Sequence, residues 1–153
     1  MTVSDEQAIH NLIHRYAGLM DSADFPGIAR LFAAAVLTND QDTEGMHGVE
    51  AITRVYTDAN RVYDDGKTHT KHVISNTELD IDGETARASS YFMVFQQIDD
   101  FPLQPIVSGR YGDSFERVDG TWRFNGRHLS IDLVGDLSRH LRQPLDDALR
   151  GED

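Results

Sequence analysis

Histidine, aspartate, tyrosine and arginine are the side chains of this sequence that could carry acid-base chemistry. A few of them stand where a fold can turn them inward. His72 sits in Thr68-His69-Thr70-Lys71-His72-Val73-Ile74-Ser75-Asn76, which reads as a strand. Strand alternation places His72, Ile74 and Asn76 on one face and His69, Val73 and Ser75 on the other. The two histidines therefore do not converge, and His69-x-x-His72 makes a poor metal clamp, so no metal site is expected. A neutral imidazole is a usable base near neutral pH, provided a neighbour fixes its tautomer.

Asp21 supplies a carboxylate at the end of the first helical segment. At 100° per residue it lies about 40° beyond Ala17, on the margin of the apolar stripe. The helix dipole opposes a negative charge there unless a cation or a hydrogen-bond donor compensates. Two readings stay open: a solvated residue in the turn Asp21-Ser22-Ala23-Asp24, or an inward carboxylate orienting a histidine, with His72 the best candidate. Tyr16 lies on the buried stripe of the same helix, either as a core aromatic or as a hydrogen-bond donor whose phenol needs a partner. Arg127 shares strand parity with Leu129 and Ile131 and points inward if Gly126 marks a bulge. Arg123 reads as solvated, and Arg110 is left unassigned.

Composition removes other chemistries. With no cysteine there is no disulfide framework, thiolate nucleophile, zinc ribbon or iron-sulfur centre. No Walker loop, dinucleotide fingerprint, serine nucleophile elbow or zinc-protease helix occurs, so no cofactor is expected. The 14 Lys and Arg face 26 Asp and Glu, and the net charge of -12 argues against nucleic acid and anionic membranes as partners. The segment Met1 to Gln7 has neither a basic n-region nor an apolar h-region, and no apolar run approaches ~18 residues. A soluble cytoplasmic protein is expected.

The 153 residues suit one domain, with a core over about 4–134 and a polar tail over 135–153. Ser4 and Gln7 fit a capping box, and Ile9, Leu12, Ile13, Tyr16, Ala17 and Met20 recur at helical spacing, which predicts a helix over about 5–20. Asp24 caps a second helix ending near Ala34, and a short strand follows at Val36 to Asn39. A third helix carries Ile52, Val55, Tyr56, Ala59, Val62 and Tyr63 and is stopped by Asp64-Asp65-Gly66. From Thr68 onward the texture is β-branched and aromatic, with Asp82-Gly83 and Asp119-Gly120 as hairpin turns and a longer loop carrying Pro102 and Pro105. Gly109, Gly112 and Gly126 suggest bulges or bends. The predicted class is α+β: three N-terminal helices packed in a strongly curved antiparallel sheet, a cone-shaped barrel. The tail, with Leu137, Leu141, Leu145 and Leu149 broken by Pro144, reads as a short helix over the sheet or a partner, then a frayed end.

The run from Ala8 to Phe25, with Leu31-Phe32 behind it, resembles the opening helices of the superfamily containing ketosteroid isomerase, scytalone dehydratase, polyketide cyclases and nuclear transport factor two. The segments Lys71 to Asn76, Gly109 to Arg117 and Asp119 to Phe124 look like the strand signatures of its SnoaL-like branch. In the dehydratase and dehydrochlorinase members an aspartate after helix one pairs with a histidine on the first long strand, and the resemblance puts Asp21 and His72 in those places. It also matches Tyr16 to the oxyanion-donating tyrosine of ketosteroid isomerase, with Asp40 at an offset comparable to that enzyme's base; the second acid of that site has no counterpart here.

The resemblance implies a cofactor-independent lyase or isomerase acting on a small apolar cyclic or aromatic compound. His72 would be the base, Asp21 its orienting partner, and Tyr16 with Arg127 would stabilise the enolate or leaving group. It also implies a homodimer or homotrimer. The alternative is a non-catalytic ligand-binding or assembly module, such as a β subunit of an aromatic-ring dioxygenase.

Overall fold

Ser4 opens the first helix as a cap: its side chain accepts the Gln7 N–H at 3.2 Å, and Asp5 and Glu6 put negative charge on the positive end of the helix dipole. In the computed structural model, which describes residues 2–150, α1 spans Asp5–Asp21, α2 Phe25–Leu31, β1 Val36–Asn39 and α3 Val49–Ala59. Four long strands follow, β2 Thr70–Asp82, β3 Thr85–Ile98, β4 Phe101–Val118 and β5 Thr121–Val134, and then α4, Leu145–Arg150. The first helix reaches one residue further than the spacing alone predicts, and that residue is Asp21.

The sheet order is β1-β5-β4-β3-β2. The meander β2 to β5 is antiparallel as predicted, but β1 lies parallel to β5, so the sheet is mixed and open rather than wholly antiparallel. No hairpin joins β1 to β5, so nothing in the connection forces them antiparallel. The helices fill the concave face, where Ile9, Ile13, Ile28, Phe32, Ile52, Phe115 and Phe124 are fully or almost fully buried.

Curvature comes from irregularities in the ladders. Pairing slips between Ser108 and Gly109 and again between Ser114 and Phe115, where Asn125 is the extra residue beside Gly126. Gly112 stays in register opposite His128, so no bulge forms there. The long loop expected around Pro102 and Pro105 is instead strand: Asp99-Asp100 makes the turn, and Pro105 sits opposite Phe95 beside a register shift. A bulge tolerates the missing proline N–H. The Asp119-Gly120 turn has both residues at positive φ, 50° and 78°, as a type I′ turn requires. In the first hairpin Asp82 pairs with Thr85, so the loop is Gly83-Glu84 and the glycine takes the first central place.

Two helices are shorter than predicted. The second stops at Leu31, and the third stops at Ala59 because Asn60 leaves it to bridge Leu141. The C-terminal segment thus folds back on its own chain. The α4 helix then lies near the β1 end, with Asn39 Nδ2 donating to the Leu149 carbonyl at 3.0 Å. The frayed end expected beyond it lies outside the described residues. Among those residues no helix is long and apolar enough to cross a membrane.

At Gly109 β4 leaves no room for a side chain against β5. A Cβ there would overlap the Ser130 carbonyl oxygen and come within 2.8 Å of the Phe92 ring. Gly109→Ala is expected to destabilise the fold by about 1–3 kcal/mol, the usual cost of overpacking. Urea melts of the two proteins check this; an unchanged midpoint would mean the bulge relaxes freely.

Candidate active site

The last turn of α1 and the start of β2 meet at a hydrogen-bonded pair. Asp21 Oδ1 lies 2.6 Å from His72 Nδ1, and the carboxylate also accepts the His72 backbone N–H at 3.0 Å and the Thr70 hydroxyl at 2.8 Å. These donors supply what a carboxylate at the negative end of a helix needs. Burial opposes the charge, but the bonds from His72 and Thr70 outweigh it and hold the Asp21 carboxyl below the usual carboxylate range. An ionised Asp21 can only accept, so Nδ1 of the ring carries a hydrogen, and in the neutral form of the ring the lone pair is on Nε2. That nitrogen has no hydrogen-bond partner among the described residues. The His72 side chain is 5% exposed and that of Asp21 21%, so the pair is mostly shielded from water.

Tyr16, five residues before Asp21 on α1, stands edge-on to the His72 ring at 6.3 Å, and its hydroxyl is 3.4 Å from that of Tyr56. Arg127 reaches the same cluster from β5. The extra residue Asn125 restores inward parity at 127, so the guanidinium lies 3.8 Å from the Tyr111 ring centre and 4.4 Å from that of Tyr16. Its Nε and Nη2 fork onto Asp113 at 2.7 and 2.9 Å, with both side chains buried. Burial disfavours the guanidinium charge, but Asp113 overrides it and raises the Arg127 pKa. The remaining nitrogen, Nη1, is buried without a partner. Burial and the nearby Tyr16 push the phenols of Tyr56 and Tyr111 well above their ordinary value, so both remain neutral.

This set of groups lies inside a chain whose residues 1–128 match the model of the SnoaL-like domain. The chain belongs to the SnoaL-like domain family. Solved structures of similar fold include a scytalone dehydratase-like protein from Novosphingobium aromaticivorans, 22% identical, with a TM-score of 0.67 over 86% of this chain and 87% of that one. ActVI-ORFA from Streptomyces coelicolor is 20% identical, with a TM-score of 0.69 over 84% and 98% of the two chains. An NTF2-like protein with a cystatin-like fold, also from Novosphingobium aromaticivorans, is 22% identical, with a TM-score of 0.68 over 88% and 86%. No curated protein matches the sequence.

In this SnoaL-like chain, then, Asp21, His72, Tyr16 and Arg127 all come to the interior. Asp40 does not: it is exposed on the outer side of the sheet, where it meets His128 Nε2 at 2.9 Å and Ser130 Oγ at 3.1 Å. Parity alone would also have kept Asn76 with His72. A bulge intervenes between Ser75 and Glu78, Asn76 takes a φ of 52°, and its side chain leaves that face. His69 pairs with Asp65 at 2.9 Å, away from His72 as expected. Arg123 joins Glu116 and Arg110 joins Asp132, both at the surface. A groove of about 640 Å³ on the outer face, bordered by Glu78, Asp80, Arg87 and Ser89, contains neither Asp21 nor His72.

Three further groups enter the SnoaL-like interior that their sequence context does not single out. Asp113 shares parity with Tyr111 and Phe115, and a carboxylate on an apolar strand face is the signal that could have found it. Tyr56 lies on the apolar stripe of α3, but only packing turns its hydroxyl toward Tyr16. His140 comes from the tail, whose polar texture carries no signal at all. Among the described residues, no three His, Asp or Glu side chains are grouped to hold a metal ion.

The depressed Asp21 pKa makes a sign-definite statement about acid stability. The folded carboxyl binds its proton less readily than the unfolded one, so its contribution is complete above about pH 3.9. It is lost as pH falls through the lower folded value. Asp21→Asn lacks this contribution, so the gap in urea midpoint between native and variant is expected to narrow as pH drops from about 6 to 2. A constant gap would show that the charge of Asp21 does not contribute to folding.

Proposed function

We propose that this protein is a lyase or isomerase that uses only its own side chains to remove a proton from carbon in a small, mainly apolar cyclic or aromatic compound. The observation that carries this reading is the 2.6 Å contact between Asp21 Oδ1 and His72 Nδ1, which leaves Nε2 free for a ligand. In the reaction, Nε2 takes the C–H proton and His72 becomes an imidazolium, stabilised by Asp21. The electron pair left on carbon moves toward a neighbouring carbonyl, giving an enolate, or expels a leaving group from the adjacent carbon. Tyr16 donates to the developing oxygen charge, and Arg127 Nη1 offers a second, cationic donor held rigid between two aromatic rings. Resemblance in fold to a scytalone dehydratase-like protein supports a dehydratase or cyclase class of chemistry. The test is turnover of a panel of hydroxylated and halogenated cyclic compounds, with His72→Ala as control. If no member is turned over faster by native protein than by the variant, the proposal fails.

One observation favours an assembly role, alone or beside catalysis. Val73 is 47% exposed, Tyr91 53% and Leu133 68%, an apolar content that self-association through the sheet would cover. On this reading the protein sediments as a dimer or trimer and Tyr91→Glu shifts it toward monomer. Unchanged sedimentation would remove this surface from consideration.

A further inference from the structure

Residues 137–142 form a strap outside the stretch matched by the SnoaL-like family model, which ends at residue 128. The strap is tied firmly to the chain after α3. Arg61 N–H donates to the His140 carbonyl at 2.8 Å, and Arg142 N–H donates to that of Ala59 at 2.9 Å. The Arg139 carbonyl accepts from the Tyr63 hydroxyl at 2.6 Å and from Gln96 Nε2 at 3.0 Å. Held this way, His140 is 5% exposed, with its ring centre 6.1 Å from that of His72.

A ring so placed by chance would be expected to have its nitrogens paired, because leaving a buried polar atom unpaired is costly. His140 Nδ1 has no partner. A second group tied to the same strap is also unsatisfied: Gln96 Oε1 is buried and unpaired, and its orientation is settled because Nε2 already donates to the carbonyls of Thr68 and Arg139. An amide oxygen accepts only, so it calls for a donor. A hydroxyl can donate or accept, and therefore satisfies Nδ1 in either neutral tautomer.

We propose that His140 Nδ1 contacts the ligand directly and binds a hydroxyl group on the ring compound presented to His72, so that hydroxylated cyclic molecules are the preferred class. This rests on the reading of the interior as the place where His72 acts. Burial, with His72 alongside, pushes the His140 pKa down to about 3, so the ring contributes a neutral hydrogen bond rather than a charge. His140 is thus a specificity residue, and proton abstraction stays with His72.

The probes are 2-naphthol and 2-methylnaphthalene, nearly equal in shape and differing by hydroxyl against methyl. Each is titrated into native protein, His140→Phe and His140→Asn, the last because an asparagine amide falls near the position of Nδ1. Native protein is expected to prefer the naphthol roughly tenfold, the worth of one net hydrogen bond. His140→Phe is expected to lose the preference and His140→Asn to keep most of it. In native protein, 2-naphthol is also expected to shift the His140 Nδ1 nitrogen resonance, a readout that needs no variant to fold. A native protein with no preference, a preference surviving in His140→Phe, or an unmoved Nδ1 resonance would each overturn the proposal. The catalytic reading fails separately: native protein that prefers the naphthol yet turns over no compound faster than His72→Ala keeps the subsite and loses the enzyme.

Discussion

His72→Ala is expected to reduce turnover of any accepted substrate by about 10²–10⁴-fold, the range associated with a positioned general base. The fold should tolerate the change, because Asp21 keeps two of its donors, the backbone N–H of residue 72 and the Thr70 hydroxyl. Asp21→Asn is expected to cost a comparable factor by another route. The amide leaves the imidazolium formed at His72 without its counter-charge and weakens the preference for hydrogen on Nδ1. The two losses are not additive, since both act through one nitrogen, and the double variant is expected to resemble His72→Ala. Single-turnover kinetics on the three variants check this. His72→Ala activity within tenfold of native would rule the pair out as the catalytic base.

Arg127→Met is expected to lower stability by about 3–5 kcal/mol, the largest structural effect of any single change discussed for this chain. The reason is the partner left behind. The Asp113 side chain is fully buried and takes both of its ionic hydrogen bonds from Arg127. Without the guanidinium it becomes an uncompensated charge in the buried interior. Arg127→Met combined with Asp113→Leu is expected to recover most of the loss, because a buried ion pair replaced whole by apolar groups is often neutral. Urea melts of the single and double variants distinguish the cases. A single variant within about 1 kcal/mol of native would show that the site admits enough water to solvate Asp113.

These two effects separate what pattern reading can reach from what it cannot. The α1 stripe from Ile9 to Met20, the third helix through Ile52 and Tyr56, and the hairpin at Asp119-Gly120 are legible because local periodicity and turn chemistry act over a few residues. Asp21 and His72 are legible only as candidates. Their marginal positions on helix and strand become a pair through a resemblance in sequence, and through space only once α1 packs on β2. Parity carries a side chain correctly along a strand until a bulge intervenes, which is why Ile74 follows His72 inward and Asn76 does not.

By itself the sequence determined the α+β class, the order of helices and hairpins, and the absence of thiol chemistry, since each depends on composition or short-range repeats. It also placed Tyr16 on a buried stripe. Tertiary structure alone decided that β1 runs parallel to β5, that Asp113 receives Arg127, and that His140 returns from the tail to the side of His72. Each of these joins segments far apart along the chain. Such partners meet through backbone pairing and shared burial, and a local pattern that turns a residue inward does not say which distant residue it will meet.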